Sequence, residues 1–153
     1  MAKPTATSDR ALLALTVLRL CLGVFFVAEA FDKIGWLADP SLLAKRFDGY
    51  LKEPHPISRW YIETFAKPHV DVFARMVFFG ELSCGVALLT GVLPRLAAAL
   101  AFVMVLNFHV ASGALFEFQF LRNGYGLPVL GGLLALAIGA RRTPLRLHLG
   151  KDR

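Results

Sequence analysis

The sequence predicts an all-α membrane protein: a four-helix transmembrane bundle with an amphipathic connection between its first two spans. Two observations carry this. Hydrophobic residues make up 56% of the 153 positions, and mean hydropathy is +0.57, beyond the range of ordinary soluble domains. The apolar residues also gather into four stretches, 11–31, 73–93, 95–116 and 124–140. Each is about 17–22 residues long, as a hydrocarbon core of ~30 Å requires. In lipid such segments are helical, because every backbone group needs an internal partner. The whole chain, 1–153, reads as a single transmembrane domain.

Span one follows a short polar start, with Ser8 or Asp9 placed to cap it. The apolar run is too long for a signal-peptide core and is read as retained. The connection 32–72 is the only long one. After a cap-like Pro40-Ser41 it carries Leu42, Leu43, Phe47, Tyr50 and Leu51 at helical spacing, then Trp60, Tyr61, Ile62 and Phe65. This predicts one or two amphipathic helices lying on the bilayer or covering the bundle mouth. Span two offers Gly80 and Cys84 for close packing, and a tight turn at Val92-Leu93-Pro94-Arg95 leads into span three. The alternating Phe116, Phe118 and Phe120 read as an interfacial aromatic belt. In span four, Gly131, Ala135 and Gly139 suggest a flat packing face, and Arg141-Arg142 stops the span.

The net charge of +6 lies in loops and tails, which points to membrane electrostatics and topology rather than nucleic acid. Basic residues tie between the two sides. Charges near short tails, Arg141-Arg142 above all, place both termini in the cytoplasm and the long connection outside. Cys21 and Cys84 form no CxxC pair and read as packing residues.

Three spans contain groups that lipid disfavours: Arg19 and Glu29 in the first, Glu81 in the second, Asn107 and His109 in the third. A charged side chain at mid-membrane costs roughly 2.5–3.5 kcal/mol on insertion scales, so such residues face the bundle interior. Counting from the span ends puts Glu81 and Asn107 at one depth with His109 near. It also predicts an Arg19–Glu81 pair, either locking two helices or edging a polar pocket for a lipid-soluble head group or protons. Glu29 and Lys33, four residues apart, form an ion pair at the outer end of span one or at the pocket mouth. Only His109 among the four histidines lies in a span, so bis-histidine haem is not expected. No metal or nucleotide motif is visible.

The order of these features resembles the DoxX/DoxD family of small four-helix membrane proteins. Arg19, Gly23 and Glu29-Ala30-Phe31-Asp32-Lys33-Ile34 follow the family's Arg…Gly…Gly-x-x-Lys-Leu opening, with Ala30 where Gly is usual. The segment Glu81-Leu82-Ser83-Cys84-Gly85-Val86-Ala87-Leu88-Leu89-Thr90-Gly91 is similar to its Glu-x-x-x-Gly-x-x-Leu-Leu-x-Gly core. The resemblance covers about residues 10–146. It implies a bacterial or archaeal inner-membrane protein, in some relatives the membrane subunit of a thiosulfate:quinone oxidoreductase, in others an accessory subunit. Cysteine-bearing relatives use a thiol pair that this chain lacks.

With the resemblance, the expected function is membrane subunit of a quinone-linked oxidoreductase. Glu81 and His109 would handle protons, and Arg19, Asn107, Glu29 and Lys33 would bind a quinone. The alternative is a non-catalytic scaffold docking partner subunits through 32–72 or the fourth span, or a homo-oligomer. A proton or solute pathway ranks last, because four short helices leave little room for a pore.

Overall fold

The computed structural model describes residues 6–140. The expected stop at Arg141-Arg142 and the basic tail used for orientation lie outside the described residues.

Helix α1 (Ala6–Asp32) already runs at Ala6, so neither Ser8 nor Asp9 ends it. Asp9 instead sits in the first turn, where a negative charge complements the helix dipole. The connection folds into α2 (Gly35–Ala38), α3 (Ser41–Tyr50) and α4 (Pro56–Tyr61), and α4 runs on into a π-helical turn at Ile62–Ala66. The cap of α3 is supplied by Asp39, whose Oδ1 accepts the Ser41 N–H at 3.0 Å. Hydrogen bonds from the Ser41 side chain and backbone hold this carboxyl below its usual range. His55 caps α4 through Nδ1 and the Ile57 N–H, with Pro56 at the first helical position.

Three long helices follow the expected pattern. α5 (Val70–Thr90) ends at Gly91, whose φ of 71° suits glycine, and Pro94 opens α6 (Pro94–Ala111). Together with α1 these are long and apolar enough to cross a membrane. α7 (Leu127–Gly139) is apolar but has 13 residues, about 20 Å at 1.5 Å per residue.

The third span stops short of residue 116. Ser112 caps α6, and Gly113, with φ of 77°, turns the chain into 3-10 turns at Ala114–Phe116 and Phe118–Arg122. Phe118 (76% exposed) and Phe116 face outward as a belt would, but Phe120 is buried against the bundle.

The helices run alternately up and down in the ring α1–α5–α6–α7. Gly23 meets Leu89 and Gly85 meets Val27 across α1–α5; Gly80 meets Met104 across α5–α6. The Arg95 Nε donates to the Ala137 carbonyl at 2.7 Å across α6–α7. Gly132 meets Leu18 and Leu22, and Gly139 meets Leu15, across α7–α1. In lipid, where water drives no helix association, such close contacts do the joining. They correct the fourth-span face: Gly132 and Gly139 pack inward, whereas Gly131 and Ala135 face out. Cys84 is a buried packing residue as expected, and Cys21 is exposed.

Two apolar clusters result. The lower one, with Phe26, Leu88, Ala101, Leu133 and Leu136, fills the four-helix bundle. The upper one joins Trp36, Leu43, Phe47, Ile62 and Ala66 to Ala74 and Val77 of α5. The connection is therefore a helical cap packed on the upper half of α5, covering the bundle mouth, the second of the two placements expected for it.

Candidate functional site

Between the two clusters lies a cavity of about 520 Å³. Aromatic side chains form much of its wall: Phe25 and Phe26 from α1, Trp36 and Phe47 from the cap, Phe73 and Phe108 from α5 and α6. Five of the six polar residues singled out in the sequence line it: Glu29, Lys33, Glu81, Asn107 and His109.

Lys33 is the hub. It follows directly on the last residue of α1 and is carried inward, with its side chain only 5% exposed. Its Nζ lies 2.7 Å from Glu29 Oε2 and 3.1 Å from Glu81 Oε2, and donates to the Glu29 carbonyl at 2.9 Å. Glu81 is 2% exposed, so taking it out of water is costly unless a cation sits beside it. Two carboxylates share one ammonium. With all three ionised, the cluster carries one net negative charge.

This corrects the expected Arg19–Glu81 pair. Arg19 is fully buried, but it reaches the last turns of α5, where its Nη1 donates to the carbonyls of Leu88 and of Leu89, the latter at 3.2 Å. Glu81 lies about two turns away along the same helix. Arg19 therefore ties α1 to α5 below the cavity and does not line it. Residue number sets the depth of a Cα but not the partner that a long side chain reaches. Lys33, past the nominal span end, folds back into the bundle and takes the carboxylate.

Asn107 and His109 are held by groups that the sequence did not pair with them. Asn107 Nδ2 donates to the Tyr61 hydroxyl at 2.9 Å, joining α6 to the cap. Burial raises the Tyr61 phenol above its ordinary pKa. His109 is buried, its Nε2 lies 3.0 Å from the Tyr125 carbonyl, and its ring packs on Phe120. A carbonyl can only accept, so the proton is on Nε2. That bond fixes the segment leading into α7.

Tyr61, Trp36 and Tyr125 are the site residues that sequence reasoning passed over. Tyr61 and Trp36 sit in the connection, and the signal was present there: large aromatics with a polar edge in the only long loop. The cap is clamped over the cavity by Ser58 Oγ, which donates to the Val110 carbonyl at 2.6 Å, and by the His55 ring stacked on Phe116 at 3.8 Å.

Chemically, this is a largely apolar, aromatic-walled chamber within the usual range of roughly 300–1,000 Å³ for small-molecule sites. It offers an ammonium, an amide and a phenol as donors and two carboxylates as proton acceptors.

In comparison with known proteins, the family model described as DoxX matches residues 14–112, more than half of the chain. No curated protein and no solved structure matches it.

Proposed function

The chain belongs to the DoxX family, as a multi-pass membrane protein, and from that premise we propose that it is the membrane subunit of a quinone-linked oxidoreductase. The observation that carries the reading is the cavity, in which aromatic side chains surround Lys33, Glu81 and Asn107. A quinone head is planar, apolar at its faces and polar only at two carbonyl oxygens. The faces suit the Phe and Trp walls, and the oxygens suit the Lys33 ammonium and the Asn107 amide.

Reduction of a quinone to a quinol takes two electrons and two protons. The electrons come from a redox centre on a partner subunit. Glu81, coupled through Lys33 to the more exposed Glu29, holds and passes protons at the ring oxygen. His109, lining the same chamber, positions Tyr125 and the chain around it. Arg19, outside the chamber, serves helix packing and not the ligand. The partner docks on the cap, where Ile57, Trp60 and Phe65 are exposed. The setting is a bacterial or archaeal cytoplasmic membrane with both termini inside.

The test is purification from native membranes in mild detergent, identifying every lipid and protein that stays bound. Stoichiometric quinone and a partner bearing a redox centre are expected, with quinone retention reduced in Glu81→Gln. A complex whose redox centres and quinone all lie on other subunits would make this chain a scaffold.

A further inference from the structure

A chamber buried under a cap and inside a bundle must be reached somehow, and three of its sides are fastened. Above, Leu43 and Phe47 seal it, and the Ser58–Val110 bond with the His55–Phe116 stack holds the cap down. Along α1–α5 the helices touch at Gly23 and Gly85, and Lys33 bridges to Glu81. Near α7, Tyr125 is 56% exposed, but His109 Nε2 holds its carbonyl at 3.0 Å and its ring packs on Phe25 with centroids 5.6 Å apart.

The α5–α6 side differs. Met76 lines the chamber yet is 60% exposed on the outer surface of a membrane-crossing helix. Gly80, one turn further on the same face, has no side chain, and the gap it leaves is filled by Met104, whose Sδ lies 2.8 Å from where a Cβ would stand. Met104 also lines the chamber. The wall between chamber and bilayer is thus two flexible thioether chains and a glycine. Methionine adapts to irregular and changing space at little cost.

We propose that the chamber is loaded sideways from the bilayer through a Met76–Gly80–Met104 portal, and that its ligand carries an apolar tail lying in that portal while the head reaches Lys33, Glu81 and Asn107. This rests on the quinone reading above and narrows it to long-tailed quinones. The tail keeps lipid contact beyond the portal, and the chamber of about 520 Å³ has room for the ring together with the start of the tail.

The test uses the full chain in lipid nanodiscs, with Cys21→Ser, Met76→Cys and Trp60→Phe. Trp36 in the chamber wall then reports ring binding by fluorescence quenching. Two probes are compared: a benzoquinone with a decyl tail and the same ring without a tail. After folding, the thiol introduced by Met76→Cys is capped with a benzyl thiosulfonate and later freed by reductant, so misfolding is not confused with blockage. Cys84 is buried and stays unmodified. The expected result is that capping slows entry of both probes at least tenfold, reversibly, and weakens the equilibrium binding of the tailed quinone while leaving that of the tailless ring within twofold. If capping leaves the entry rates unchanged, or weakens equilibrium binding of both probes equally, the portal is wrong and the head-group site stands. If neither probe quenches Trp36 before capping, the quinone reading itself fails and takes the portal with it.

Discussion

Lys33, one residue beyond the end of α1, comes within 3.1 Å of Glu81 in the middle of α5. The contact is a junction between the cap, the bundle and the chamber, since Lys33 also binds Glu29 at 2.7 Å. It decides which charged residues act together.

The two partners are not equivalent. Removing Glu81 leaves Lys33 paired with Glu29, whereas removing Lys33 leaves the buried Glu81 without its cation. Lys33→Met is expected to destabilise the chain by about 3–5 kcal/mol, as for breaking a buried pair, and Glu81→Gln by clearly less. The double variant Lys33→Met/Glu81→Leu should recover much of the loss. Unfolding of the detergent-solubilised protein measures all three; equal losses in the two single variants would contradict the arrangement.

Arg19 and Glu81 act independently. Arg19→Met removes donors to the Leu88 and Leu89 carbonyls, and Glu81→Gln alters the chamber. A double-mutant cycle should therefore give a coupling energy within about 0.5 kcal/mol. A coupling of several times that would restore the direct pair.

Glycine substitutions should separate the packing face from the outer face. A Cβ on Gly85 would lie 2.8 Å from the Val27 backbone nitrogen, so Gly85→Ala forces α1 and α5 apart. Its expected cost is about 1–3 kcal/mol. Gly131 has open space around it, and Gly131→Ala should stay within about 0.5 kcal/mol of the parent. Thermal inactivation of the two variants side by side checks this.

Tyr61 ties the cap to α6 through Asn107, and its phenol is raised by burial. A raised folded value means that the neutral form is favoured by folding, while the ionised form is favoured more in the unfolded chain. Below the unfolded value near ~10 the contribution of the neutral phenol is constant. Above it the unfolded chain loses its proton first, so stability falls as pH rises toward the folded value. Tyr61→Phe should cost about 1 kcal/mol at neutral pH and flatten the alkaline loss of stability. An unchanged alkaline slope in Tyr61→Phe would remove Tyr61 from that role.

Much of this was readable in the sequence, for physical reasons that can be named. Span lengths follow from the bilayer, so α1, α5 and α6 were visible from apolar runs alone. Glu29, Glu81, Asn107 and His109 stood out because lipid tolerates such groups only when they face inward. Pairings were less legible. Arg19–Glu81 was the economical guess from opposite charge, but Arg19 finds backbone carbonyls and Lys33 takes the carboxylate. The turn at Gly113 that ends α6 early, and the inward face of α7 at Gly132, depend on tertiary contacts that no single-helix pattern contains. The cap was predicted as amphipathic helix. Its packing on α5 came from residues such as Trp36 and Ile62, whose partners are distant in the chain.

A quinone ring held in the chamber against Trp36, Glu81 and Asn107 is the central claim. The most direct measurement is titration of the nanodisc-embedded Trp60→Phe protein with a decyl-tailed benzoquinone, following Trp36 fluorescence. Saturable quenching with one site per chain is predicted, weakened at least tenfold by Asn107→Leu or Lys33→Met. Quenching that rises linearly without saturation, at the same rate in the parent and both variants, would contradict it.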